Sequence, residues 1–88
     1  MTAPQRILRL PEVKMMTGLS RSSVYVHISQ GIFPRPLALG VRMVGWPSRE
    51  IEALIEARIA GEDATAIREL IIKLVRERTS LRSKANNQ

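Results

Sequence analysis

Apolar positions recur at helical spacing in four segments of this chain, and glycines, prolines and one alternating stretch separate them. Ile7-Leu8-Arg9 is a short extended candidate that ends at Pro11, because the residue before a proline disfavours helix. Pro11 suits the first position of a helix, and Glu12 beside it suits the positive end of the helix dipole. The spacing predicts a helix over about 11–17 with Val13 and Met16 inward and Met15 beside them, stopped at Gly18. Ser20 is placed to cap a second helix over about 21–30, which Gly31 ends.

In that second helix, residues about 100° apart put Val24 and Ile28 on one side. Ser22, Tyr25, Val26 and Ser29 fall on the other, with Arg21 at its edge. An ordinary solvated face would carry Lys and Glu; a face of small, polar and uncharged side chains suits contact with a partner.

Phe33-Pro34-Arg35-Pro36 excludes helix, and Leu37-Ala38-Leu39-Gly40-Val41-Arg42-Met43-Val44-Gly45-Trp46 reads as a hairpin. Glycine at the first central position suits a two-residue turn at Gly40-Val41. That register pairs Leu39 with Arg42, Leu37 with Val44 and Arg35 with Trp46. It gathers Leu37, Leu39, Val44 and Trp46 on one apolar face and leaves Arg42 at a basic tip. Pro47 ends the hairpin, and Ser48 is expected to cap a third helix over about 49–60, with Ile51, Leu54, Ile55 and Ile59 as its buried stripe. After Gly61-Glu62-Asp63 a fourth helix is predicted over about 64–82, and Ser83–Gln88 is polar.

These elements predict a mainly α fold with a small β-hairpin wing: a winged helix-turn-helix over residues 1–61 and a C-terminal helical extension over 62–88. The second of two short helices joined by a glycine turn is the one that enters a DNA major groove.

Charge strengthens this picture. The 88 residues carry 14 Lys/Arg and 8 Asp/Glu, a net charge of +6. Residues 1–48 hold Arg6, Arg9, Lys14, Arg21, Arg35 and Arg42 against Glu12 alone, so the excess lies in the winged segment. A basic half joined to a balanced half suits a polyanion. Arg35 and Arg42 are candidates for phosphate or minor-groove contact. Ser20 caps the helix and presents backbone N–H groups to a phosphate. The candidate DNA-binding set is therefore Ser20, Arg21, Ser22, Tyr25, Val26, Ser29, Arg35 and Arg42.

Other chemistry is scarce. Cysteine is absent and histidine occurs once, which excludes disulfides and leaves no metal site or cofactor expected. The serines lack a partnering base and no glycine-rich phosphate loop is present, so an enzyme is not expected. No apolar run nears the ~20 residues that span a membrane, and the expected location is the cytoplasm, on the nucleoid. Aromatics are 3% of residues, so the core is expected to be aliphatic around Trp46. Tyr25 has two readings, DNA contact or a core aromatic under the wing; His27 has two, a neutral histidine at the core edge or a phosphate contact. The fourth helix also has two. It folds back on its own domain, or Ile67, Ile71, Leu74 and Leu81 form a seam for a partner helix, interrupted by Arg78.

Arg9-Leu10-Pro11-Glu12-Val13, then Thr17-Gly18-Leu19-Ser20-Arg21-Ser22-Ser23-Val24-Tyr25, resembles the AlpA family of prophage regulators. Gly31-Ile32-Phe33-Pro34-Arg35-Pro36, Leu39-Gly40-Val41-Arg42-Met43-Val44-Gly45-Trp46 and Ser48-Arg49-Glu50-Ile51 continue the likeness over about residues 6–60. The resemblance implies a small DNA-binding protein of a phage or integrative element, with Arg21, Ser22 and Tyr25 on the recognition helix and Arg42 in the wing. It also implies an excisionase that binds near an attachment region beside an integrase. The alternative within this class is a transcriptional activator of excision or integrase genes. Self-association on DNA is expected in either role. An interaction adaptor using the last helix is the alternative of another class. Two departures stand out: Val26 and His27 where members often carry a basic residue, and Leu54 where members often carry Trp. Val26 suits a thymine methyl, which alters base preference.

Overall fold

A computed structural model describes the backbone of residues 6–86 and the side chains of residues 6–79. The order is β1 (Ile7–Leu8), α1 (Leu10–Thr17), α2 (Arg21–Ser29), β2 (Leu37–Gly40), β3 (Met43–Pro47), α3 (Ser48–Ile59) and α4 (Ala64–Asn86). The fold is mainly helical with a small antiparallel sheet in the order β1-β3-β2, a winged helix-turn-helix followed by a C-terminal helix. β1 joins the hairpin as a third strand, with Leu8 opposite Trp46.

Local signals place the first two helices. Pro11 lies in the first turn of α1, where its missing N–H costs nothing. Gly18 ends that helix at φ 74°, a left-handed conformation that a side chain resists. The Ser20 hydroxyl accepts from Ser23 N–H at 3.1 Å and so caps α2. The inward stripe of α1 is Leu10, Val13 and Thr17, at spacings of three and four. Met15 and Met16 do not join it as expected: they are 84% and 40% exposed, because eight residues present only one such stripe.

The core is one cluster. Leu8, Val13, Val24, Phe33, Trp46, Ile51 and Leu54 are buried, together with Ile67, Ile71 and Leu74 of α4. Phe33 and Trp46 meet edge to face with ring centroids 6.1 Å apart, and Trp46 Nε1 donates to the Pro34 carbonyl at 2.8 Å. Aromatic rings and an indole N–H satisfied by backbone explain how a chain poor in aromatics anchors a core.

This anchor corrects the hairpin register. Leu37 lies opposite Gly45, Ala38 opposite Val44 and Gly40 opposite Met43. The turn residues are Val41 and Arg42, not Gly40 and Val41, and Arg42 adopts φ 60°. The ladder is irregular between Ala38 and Gly40, which lodges Leu39 as the extra residue. Shifting the pairing by one position turns side chains to the other face. Trp46 is in the core as expected, but Leu39 leaves its face and packs with Ile7 over Gly45 on the opposite side. A Cβ on Gly45 would stand 2.5 Å from Ile7 Cγ2 and 3.0 Å from the Leu8 carbonyl, so only glycine fits beneath them.

Two further expectations change. Ser48 makes no cap hydrogen bond; it ties down β1, accepting from Arg6 N–H at 3.0 Å and donating its own N–H to Arg6 O at 2.7 Å. The buried stripe of α3 runs Ile51, Leu54, Ala57, and Ile59 lies two positions, about 200°, further round at 81% exposure. The helix α4 begins at an Asp63 side chain that accepts from Ala66 N–H at 2.9 Å.

Candidate nucleic-acid interface

The sequence of α2 dictates which side it shows. Val24 is fully buried and Ile28 half-buried, and that side is held against the core. Arg21, Ser22, Tyr25, Val26 and Ser29 are therefore left on the outer side, all exposed. Tyr25 keeps 39% of its surface and Val26 50%, so Tyr25 is not sealed beneath the wing. The Arg21 guanidinium carbon lies 5.9 Å from the centre of the Tyr25 ring, a cation–π stack that holds both side chains at the start of the helix. Ser29 turns inward to its own helix, its hydroxyl donating to the Val26 carbonyl at 2.6 Å. Ser20 is exposed and its hydroxyl also contacts Ser23 Oγ at 3.0 Å.

The wing stands on β2 and β3. Its tip is Val41, 90% exposed, followed by Arg42. A non-glycine residue at positive φ costs about 1–3 kcal/mol and persists only where surrounding structure holds it. Here the antiparallel ladder on both sides of the turn supplies that hold and aims Arg42 outward. Arg9 adds a positive charge beside the wing, its Nε donating to the Val44 carbonyl at 2.9 Å. Sequence reasoning missed Arg9 because its partner lies 35 residues away; the basic residue just before Pro11 was the available signal. It also missed Val41, because the turn was set one residue early.

Arg35 sits at the foot of the hairpin. Its carbonyl accepts from Arg78 Nη2 at 2.8 Å, and its exposed side chain borders a groove shared with α4. His27 faces α3, half-buried, with Nδ1 3.5 Å from Arg58 Nη2. Burial, and secondarily the Arg58 charge, lower its pKa below the ordinary 6.5. A guanidinium only donates, so this contact makes Nδ1 the acceptor and favours the neutral imidazole.

In α4, Ile67, Ile71 and Leu74 are 3%, 7% and 6% exposed and lie in the domain's own core. Leu81 lies outside the residues whose side chains are described. No group of three or more metal-ligating side chains is found among the described residues, and no helix there is long and apolar enough to cross a membrane.

Two known proteins are similar over part of this chain. An uncharacterized protein, ORF88 of Enterobacteria phage P4, is 46% identical over 57 residues, which are 65% of this chain and 65% of that protein. The chain thus spans just under two thirds of that relative's length. The DNA-binding transcriptional activator AlpA of Escherichia coli (strain K12) is 37% identical over 59 residues, 60% of this chain and 84% of that protein. No solved structure matches. Residues 6–59, more than half of the chain, match the model of the prophage CP4-57 regulatory protein (AlpA) family, and the chain belongs to that family.

Proposed function

We propose that this chain is a sequence-specific double-stranded DNA-binding regulator. The observation that carries this reading is the outer side of α2, where Arg21, Ser22, Tyr25 and Val26 stand exposed on a capped helix that contains no acidic residue. Arg21 suits bidentate contact to guanine, and Val26 suits a thymine methyl in the major groove. Ser20 and Ser29 flank them at the two ends of the helix. Arg42 at the wing tip suits a phosphate or the minor groove. Arg35 is left out of this face because its side chain borders the α4 groove.

Two regulatory roles use the same face. Activation of transcription is supported by the E. coli relative, which is described as a DNA-binding transcriptional activator. Excisionase activity beside an integrase, with copies assembling on adjacent sites, is the second role, supported by the prophage and phage origin of the family and of the P4 relative. Footprinting on DNA flanking the gene and its attachment region tests the binding reading. Protection of discrete sites over random competitor DNA is the expected result; uniform, salt-sensitive coverage overturns it. Protection upstream of a promoter with increased transcript marks an activator. Integrase-dependent excision that requires this protein in a purified reaction marks an excisionase.

A further inference from the structure

Two surfaces away from the DNA face remain unexplained, and they are complementary. The first is a ridge on α3. Glu52, Ile55, Glu56 and Ile59 stand at i, i+3, i+4 and i+7, so they form one stripe. Ile59 is 81% exposed, and neither glutamate has an ion-pair partner among the described residues. The second is a groove of about 390 Å³ between α2, the segment before the wing and α4. Ile28, Phe33, Ile71 and Val75 line it, and Arg35 and Arg76 stand at its edge. Ile72 beside them is 57% exposed, and Arg76 has no ion-pair partner among the described residues.

We infer that copies of this chain join head to tail, the acidic ridge of one seated in the basic-edged groove of the next. Ile59 is the aliphatic knob, and Glu52 and Glu56 meet Arg35 and Arg76. The charges select ridge on groove over like patch on like patch. Ridge against ridge sets glutamate on glutamate, and groove against groove sets arginine on arginine. A contact between two different patches closes into a ring where its rotation allows and otherwise propagates as a row, and DNA sites in line favour the row. Neither patch uses Arg21, Tyr25 or Arg42, so a row leaves the DNA face free. The patches are small beside the roughly 800 Å² per partner of a standard interface, so the contact is weak in free solution. Tethering on neighbouring DNA sites raises the effective concentration and makes it count. The inference rests on the self-assembly part of the functional reading and names the surfaces that perform it.

The test combines sedimentation velocity of the full chain up to millimolar concentration with binding to DNA carrying one site or two adjacent sites. Ile59→Asp removes the knob and Ile72→Asp blocks the groove; both positions are exposed, and circular dichroism confirms folding. Wild type is expected to exceed the dimer as concentration rises and to fill two-site DNA with cooperativity on the order of 10²-fold. Each variant alone is expected to be monomeric and non-cooperative, with single-site affinity unchanged. An equimolar mixture of the two retains one intact ridge and one intact groove and is expected to stop at the dimer. Glu56→Arg and Arg76→Glu are each expected to weaken assembly, and the two together in one chain to restore it.

Assembly that survives Ile59→Asp or Ile72→Asp overturns the inference, as does a mixture that stays monomeric. Wild type that is monomeric and non-cooperative overturns it together with self-assembly, and leaves the groove to a segment of another protein. Loss of single-site binding in wild type instead sinks the DNA reading, which separates the two.

Discussion

Arg78 reaches from α4 to Glu50 in the first turn of α3, with Nε 2.7 Å from Oε2 and Nη2 against Oε1. The same Nη2 donates to the Arg35 carbonyl, so one guanidinium ties α4, α3 and the foot of the wing together. The side chains of Arg78 and Glu50 are only 17% and 5% exposed. Glu50 lies inside the family segment and Arg78 outside it, so α4 supplies the counter-charge of a residue buried in the winged domain. Breaking a buried pair strands a charge and costs about 3–5 kcal/mol. Arg78→Ala should therefore remove much of a small domain's stability in urea denaturation. Glu50→Gln with Arg78→Met should cost less than Arg78→Ala alone, because no charge is then stranded. A loss below about 1 kcal/mol for Arg78→Ala would class the pair with solvated surface bridges. Truncation after Gly61 should abolish the cooperative melt, since it also removes Ile67, Ile71 and Leu74 from the core.

Arg21 lies over Tyr25 at the start of α2, and its role separates base reading from charge. Arg21→Ala should weaken binding to the protected site by about 1–3 kcal/mol more than binding to random DNA. Competition titration at fixed salt measures the difference. Equal losses on both would make Arg21 a phosphate contact. Tyr25→Phe should be nearly neutral if the ring acts through stacking, and Tyr25→Ala should lower affinity without melting the domain, since the ring is not part of the core.

Arg42 couples an unfavourable backbone to a charge. At φ 60° glycine is the unstrained choice, so Arg42→Gly should hold or raise the thermal midpoint, by up to about 1 kcal/mol in stability. It should still weaken DNA binding. The log–log salt slope should flatten by about 0.9, the contribution of one phosphate contact. Arg42→Ala should flatten the slope equally but keep the strain. An unchanged slope in both variants would show that the wing charge stays in solvent.

Much of α1 and α2 was legible in the sequence because its signals are local. Pro11, Gly18 and Ser20 act on residues within one turn of themselves, and the split of α2 into Val24–Ile28 and Ser22–Tyr25 sides follows from helical spacing. The hairpin register was not legible. Glycine at position 40 suits a turn, but burial of Trp46 against Phe33 and Pro34 sets the pairing, and those partners are 12–13 positions away. Exposed Met15 breaks no rule, since surfaces carry many single apolar residues. Ile67, Ile71 and Leu74 show why periodicity alone is ambiguous: the same spacing serves a helix packed on its own domain and one packed on a partner. Arg78 looked like a flaw in that stripe; its partner, 28 positions earlier, explains it.

His27 ties the recognition helix to α3 through Arg58, and its titration should be visible in stability. Desolvation first and the Arg58 charge second hold its folded pKa below 6.5, the ordinary value it regains on unfolding. Between those two values the unfolded chain binds more protons than the folded one. Stability from this site is therefore fully present above about pH 6.5 and is lost as pH falls toward the folded pKa. Urea midpoints measured from neutral pH downward should decline in wild type, and His27→Gln should flatten the part of that decline owed to this residue. Carboxylates ordinarily titrate at lower pH, so the informative window lies just below pH 6.5. Arg58→Ala should raise the His27 pKa part of the way, as read from its ring proton shifts, with burial keeping the remainder. DNA affinity corrected for folding should not rise over the same window, because the imidazole faces Arg58 rather than the outer side of α2. Tighter binding on acidification, abolished by His27→Gln, would instead make His27 a phosphate contact.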